Sequence, residues 1–266
     1  MFRLVPLHHR AIDLKRKRNV DAWEDTVKQV HFGLVDEPDG SIKVDCQILT
    51  ITPQIKPNYS RPTRVRVVNA DTLDVMREAL TVGLKPVGLN MANPIRPGGG
   101  VITGAGAQEE CLFRRSNYFQ TLLHTLYPIE DNQVVYSPSI TVIKDHRYRN
   151  CAHWRCSMIA AAALERTPMD PDNYDELERE LMRQKIKIIF HTALLHGHDC
   201  LVLGALGCGA FHNPPFEVAS LFRDVICQYE GCFREIIFAV LNKDYDTTPN
   251  YEIFKLLDNT TEVKDP

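Results

Sequence analysis

The sequence predicts an α/β protein, a mixed sheet flanked by helices with an N-terminal helix and strand extension, and three observations carry that reading. Short apolar runs of strand length recur along the chain, among them CLVLGAL at 200–206 and EIIFAVL at 235–241. Segments of helical periodicity follow several of them. Between the two kinds of segment lie polar or glycine-rich loops, which is where open α/β sheets hold their ligands.

Taken in order, residues 1–60 read as an extension packed on a core that occupies 61–266 as one globular unit. The run Lys15-Arg16-Lys17-Arg18 reads as a solvated helix face, with a nuclear localisation signal or a nucleic-acid contact as alternatives. Asn19 is a candidate cap for a helix whose apolar face carries Val20, Trp23, Val27 and Val30. Residues 36–40 form a turn. Ile42, Val44, Cys46 and Ile48 alternate as a half-buried strand, and 53–62 is a loop. A strand over 63–69 leads to Asp71 or Thr72, either of which can cap a helix with Leu73, Met76 and Leu80 inward. Lys85–Leu89 is a short apolar strand.

Further on, Leu112, Phe113, Tyr118, Phe119, Leu122 and Leu123 read as helix core, and 134–136 as a strand that Pro138 terminates. Residues 157–163 are a buried strand and 174–198 the longest helix. His191, His196 and His198 near its end suit a helix C-terminus better than a metal, because Gly197 breaks the helix between two of them. Strand 200–206, helix 217–229 and strand 235–241 complete the core, and a polar tail follows Tyr245.

Bulk properties narrow the function. The 266 residues are 44% hydrophobic and 24% charged, ordinary for a soluble domain, with a formal net charge of −3 that drives no general attraction to nucleic acid. No apolar run reaches membrane-span length, and the N-terminus lacks the apolar core of a secretory signal. Eight scattered cysteines in such a chain read as reduced thiols, which points to the cytoplasm, or the nucleus of a eukaryote. Cys151-Ala152-His153-Trp154-Arg155-Cys156 lacks the second ligand pair of a structural zinc site. Neither a metal nor a cofactor is expected.

The chemistry concentrates in 90–115, NMANPIRPGGGVITGAGAQEECLFRR. Gly98, Gly99 and Gly100 expose backbone N–H groups that can cradle phosphate. The adjacent acids Glu109 and Glu110, preceded by Gln108, are candidates for acid–base work on whatever carries that phosphate. A second glycine loop, Gly207-Cys208-Gly209-Ala210-Phe211-His212-Asn213-Pro214-Pro215, joins a buried strand to a helix N-terminus and suits a diphosphate. Cys208 has no recognisable His and Asp partners to make it a nucleophile.

PGGG followed seven residues later by QEE resembles the signature of the poly(ADP-ribose) glycohydrolases. VVNADTLD at 67–74, NMANPIRPGGG at 90–100, VVYSPSITVIKD at 134–145 and LVLGALGCGAFHNPP at 201–215 are similar to the microbial-type branch of that family, from about residue 10 to the 240s. The resemblance implies a macrodomain-like fold that releases ADP-ribose from poly(ADP-ribose) on modified proteins by cleaving ribose–ribose O-glycosidic bonds. It implies Glu110 as general acid/base and Glu109 as partner of the leaving ribose's hydroxyls, with Gln108 fixing the loop. It places Asp71, with Thr72 beside it, at the adenine, although Asp71 is equally explained as a cap. Asn93 falls beside the ribose at the scissile bond, and Phe211 packs on a substrate ribose. Gly207, Cys208, Gly209 and Ala210 become the second phosphate loop, in which Cys208 is a packing residue. Two adjacent acids near a diphosphate are expected to raise the proton affinity of at least one. Arg96, after Ile95, is either a phosphate contact or solvated. Two alternatives stay open: a hydrolase of single ADP-ribose units on protein or nucleic acid, and a non-catalytic ADP-ribose reader. Neither membrane nor direct nucleic-acid binding is expected.

Overall fold

The computed structural model describes residues 7–51, 56–170, 172–242 and 250–260. Part of the expected 53–62 loop, and the start of the tail with Tyr245, lie outside the described residues. Seven strands form one sheet in the order β1-β4-β5-β3-β6-β7-β2. They are β1 (Ile42–Asp45), β2 (Arg64–Val68), β3 (Pro86–Met91), β4 (Gln133–Lys144), β5 (Asn150–Ala161), β6 (Cys200–Leu203) and β7 (Glu235–Ala239). β5, β3, β6, β7 and β2 run parallel, while β1 and β4 pair antiparallel.

Alternation along the parallel strands builds two cores. Val87 and Leu89 of β3 join Leu201, Leu203, Ile236 and Phe238 on one face. Helices α5 (Glu176–Leu195) and α6 (Pro215–Gln228) cover that face, supplying Ile186, Ile189, Phe190, Leu221 and Phe222. Met158, Ala160, Val202 and Ile237 face the other way. There they meet α3 (Thr72–Thr81) and α4 (Gln108–Arg115) through Leu73, Met76, Leu112 and Phe113. Pleat period therefore decides that Asn90, between Leu89 and Met91, is buried beneath α4.

The N-terminal segment is bound to this sheet at both ends. β1 adds an edge strand, and α1 (Leu7–His31) packs on α4. Lys144, 1% exposed, ties α1 down: its Nζ donates to the Ala22 carbonyl (3.0 Å) and Thr26 Oγ1 (2.6 Å) and lies 2.7 Å from Asp25. Thr26 in turn donates to the Arg114 carbonyl.

Several local expectations change. Asn19 caps nothing. It lies inside α1, buried, where its Nδ2 donates to the Gly104 carbonyl at 2.9 Å. β1 stops at Asp45, whose Oδ1 turns the chain by accepting the Gln47 amide, so Cys46 and Ile48 leave the strand and 48–51 form a single turn, α2. Leu80 and Leu123 are exposed. The helix ends at Arg115, because the Ser116 hydroxyl bonds back to the Leu112 carbonyl and Ser116 bridges to Val142, leaving 118–120 as a 3-10 turn. Pro138 does not end β4. It sits at a register shift between Ser137 and Ile140, where the ladder needs no N–H from it. β5 begins at Asn150 rather than 157, which separates the Cys-His segment: Cys156 is buried in the core and His153 is exposed.

Candidate active site

Helix α4 starts without a side-chain cap, and Gln108 fixes its first turn instead. Its Oε1 accepts the Met91 amide (2.9 Å), and its Nε2 donates to the Leu89 carbonyl (2.6 Å) and Thr72 Oγ1 (3.2 Å). The first turn is thereby clamped to the C-terminal end of β3 and the start of α3. The next two residues, Glu109 and Glu110, are 3% and 7% exposed.

Glu109 is held from behind. Asn90 Nδ2 donates to Oε1 (3.2 Å), the Asn93 amide donates to Oε2 (2.8 Å), and the Gly98 amide adds a further bond. Burial nevertheless dominates and pushes its carboxyl up to about 7, against those hydrogen bonds; the charge of Glu110 adds the smallest share. Glu110 is held at one oxygen only. Oε1 accepts the Gly100 amide at 3.0 Å, while Oε2 is buried and has no hydrogen-bond partner. Gly99 makes this arrangement possible: at φ 52, a side-chain carbon there would lie 2.7 Å from Glu110 Oε1.

The second glycine loop is braced from within. Asn213, buried, donates through Nδ2 to the carbonyls of Leu164 (2.7 Å), Gly207 (3.2 Å) and Phe211 (3.1 Å) and accepts the Tyr174 hydroxyl (2.6 Å). Its amide lies against Gly207, whose φ of 74 and lack of a side chain permit that approach. Phe211 is half-buried rather than exposed, packed on the core below.

These parts meet in a cleft of about 550 Å³ at the C-terminal ends of the parallel strands. That is the range of small-molecule sites. Of the predicted residues, Asp71, Thr72, Asn93, Gly99, Gly100, Gln108, Glu109, Glu110, Gly207, Gly209, Ala210 and Phe211 line it. Gly98 and Cys208 do not. Gly98 is buried against the Phe113 ring, and Cys208 is buried in the core, its thiol pushed up by burial. Asp71 does cap α3, accepting the Leu73 (2.9 Å) and Asp74 (3.2 Å) amides, and pairs with Arg115 at 2.5 Å. The Asn93 side chain accepts the Ile95 and Arg96 amides, both at 2.9 Å, shaping the turn into the glycine run.

Some contributors escape a reading of the sequence. Lys15 and Asn19 of α1, and Tyr148 at the β4–β5 turn, also line the cleft. The basic run holds Lys15 and a cap-like position holds Asn19, but nothing local ties either to the cleft and no motif marks Tyr148, because all three reach it from elements distant in sequence. Asn90 could have been found, as the polar residue in an otherwise apolar strand end two residues before a loop.

One cleft thus brings backbone from both glycine loops together with a buried carboxylate pair. Residues 44–145 match the family model described as "Microbial-type PARG, catalytic domain". Among solved structures, the poly(ADP-ribose) glycohydrolase of Thermomonospora curvata is similar at a TM-score of 0.80 and 25% identity, over 89% of this chain and 97% of that one. The same protein bound to the inhibitor ADP-HPD gives 0.78 and 25%, over 90% and 98%. The poly(ADP-ribose) glycohydrolase of Deinococcus radiodurans in complex with ADP-ribose shares the fold at 0.72 and 24%, over 82% and 93%. Comparison with curated proteins finds no match. Over residues 44–145 the chain is thus similar to the microbial-type catalytic domain, and over most of its length it is similar to solved poly(ADP-ribose) glycohydrolases.

Proposed function

We propose that this protein hydrolyses the ribose–ribose O-glycosidic bonds of poly(ADP-ribose) on modified proteins, releasing ADP-ribose, with Glu110 as general acid and base. The observation that carries this reading is the asymmetry of the acid pair: Glu110 lines the cleft with one oxygen anchored on Gly100 and the other unpartnered. Protonated, that oxygen donates to the departing ribose hydroxyl oxygen as the bond to the anomeric carbon breaks. Water then attacks the oxocarbenium-like carbon and returns its proton to Glu110, so one water is consumed and the acid regenerated. Glu109 spends three acceptor positions on Asn90, Asn93 and Gly98 and keeps one for a ribose hydroxyl. The two glycine loops anchor the diphosphate of a macrodomain-like cleft and orient the scissile ribose. Asp71, Asn93 and Phe211 line the cleft where adenine and the riboses would lie. The free thiols of the eight cysteines support a cytoplasmic setting, which cell fractionation tests.

The direct test is release of ADP-ribose from poly(ADP-ribosyl)ated protein by wild type and Glu110→Ala. Loss of a general acid–base group lowers the rate by about a hundredfold or more, with ADP-ribose affinity retained. Release only from mono-ADP-ribosylated protein or nucleic acid would move the substrate to single units. Binding of ADP-ribose with no release from any substrate would make the protein a reader.

A further inference from the structure

The rim of the cleft carries positive charge that the carboxylate pair does not use. At the β4–β5 turn, Asp145 Oδ1 accepts the Arg147 (2.8 Å) and Arg149 (3.0 Å) amides, holding Tyr148 at φ 62 with its ring at the cleft. Two guanidinium groups flank that ring, Arg18 of α1 and Arg114 of α4, each 5.4 Å from its centroid. Arg18 also donates to the Arg147 carbonyl at 2.9 Å, joining helix and turn. Arg114 is fully buried, and its donors go to neutral acceptors: Tyr148 Oη (3.0 Å), the Ala105 carbonyl (2.7 Å) and Cys111 Sγ (3.5 Å).

Two neighbouring arginines are neutralised. Arg115 pairs with Asp71 and Asp74, and Arg149 with Asp145. Among the described residues, Arg18, Arg114 and Arg147 have no carboxylate ion pair. A protein of net charge −3 thus keeps two guanidinium groups without a carboxylate partner against a ring that lines its cleft, and a third arginine in the same turn as that ring.

We infer that this corner, α1 together with the β4–β5 turn, is a second anion subsite that binds the diphosphate of the polymer unit next to the one held in the cleft. The inference rests on the proposed polymer activity, and its argument is positional. α1 meets the chain through Asn19 at Gly104, in the loop that leads into Glu109 and Glu110. A polymer cleaved at Glu110 continues past that loop, and each of its units brings a diphosphate of the complementary sign. The subsite gives the basic run at Lys15–Arg18 a role in preference for polymer over single units.

The test compares wild type, Arg18→Glu/Arg147→Glu and Arg147→Glu alone, the last because the Arg147 side chain makes no hydrogen bond among the described residues and its change leaves the Tyr148 contacts intact. Measured are kcat/KM on long polymer and on a two-unit ADP-ribose substrate, and Kd for ADP-ribose, polymer and single-stranded DNA. Two fewer phosphate contacts weaken the long-polymer terms by roughly tenfold and flatten their salt dependence. ADP-ribose affinity stays within about twofold, as expected when the reversed charges lie outside the first diphosphate's loops. Arg18→Lys/Arg147→Lys retains most of the polymer preference. Equal losses on every ligand, or none on any, overturn the subsite; so does single-stranded DNA bound as tightly as polymer, which makes the corner a nucleic-acid contact. Cleavage without a chain-length effect removes the subsite and leaves the activity. Arginine-dependent polymer binding without cleavage does the reverse.

Discussion

Glu110 and Gly100 are joined by a single hydrogen bond, amide to Oε1 at 3.0 Å, and that bond sets where the other carboxylate oxygen lies. The glycine run therefore has a task besides exposing amides: it positions the acid. A side-chain carbon at Gly99 would displace Glu110 Oε1 and place an L residue at φ 52. Gly99→Ala is expected to lower stability by roughly 1–2 kcal/mol. It should reduce kcat by at least about tenfold, as for a displaced acid–base group. Denaturation and steady-state kinetics check the two effects, and an unchanged kcat would separate the glycine from the acid.

Glu109 makes a pH prediction. Its carboxyl rises from 4.5 unfolded to about 7 folded, through burial. A raised folded value means that its contribution to stability is fully present below pH 4.5 and is lost as pH climbs through 7, on the order of 3 kcal/mol in all. Glu109→Gln cannot titrate, so the stability difference between wild type and variant should shift toward the variant across that window. Urea denaturation at a series of pH values reads it; a pH-independent difference would show that Glu109 ionises as an ordinary carboxyl.

Gln108 offers a third test. Its loss leaves the Met91 amide and the Leu89 carbonyl without the partners they have now. Gln108→Ala should cost about 2 kcal/mol and lower kcat, because the first turn of α4 loses its clamp. Full activity in a destabilised variant would confine Gln108 to folding.

The attachment of α1 depends on Lys144. Lys144→Met removes a buried ammonium with three partners and is expected to cost about 2 kcal/mol, below a fully buried pair because Asp25 is half exposed. Asp25→Asn should cost under about 1 kcal/mol. Equal effects of the two would shift the weight from Thr26 and Ala22 to the ion pair.

How far the site was legible depends on sequence distance. The glycine runs, Gln108, Glu109 and Glu110 lie within one segment, and Gly207–Phe211 within another, so local composition exposed them. Lys15, Asn19 and Tyr148 come from a helix and a hairpin turn that no local pattern ties to the acids. Asn19 is instructive. An Asn before an apolar-periodic stretch has the form of a cap, but Gly104 offers its side chain a buried acceptor, and the helix simply runs through. Pro138 misled for a related reason: a proline ends a strand only where the ladder demands its N–H, and a bulge removes the demand.

The sequence by itself determined the α/β class, the strand-end glycine loops and the acids, because periodicity, glycine and charge are properties of short stretches. Only the tertiary structure decided which carboxylate is held at both oxygens and which at one, since Asn90, Asn93 and Gly98 converge on Glu109 while Glu110 meets only Gly100. It also decided that Arg114 and Arg18 share one aromatic ring at the rim. Burial and long-range contact set proton affinity and charge compensation, and neither is written in the order of the residues.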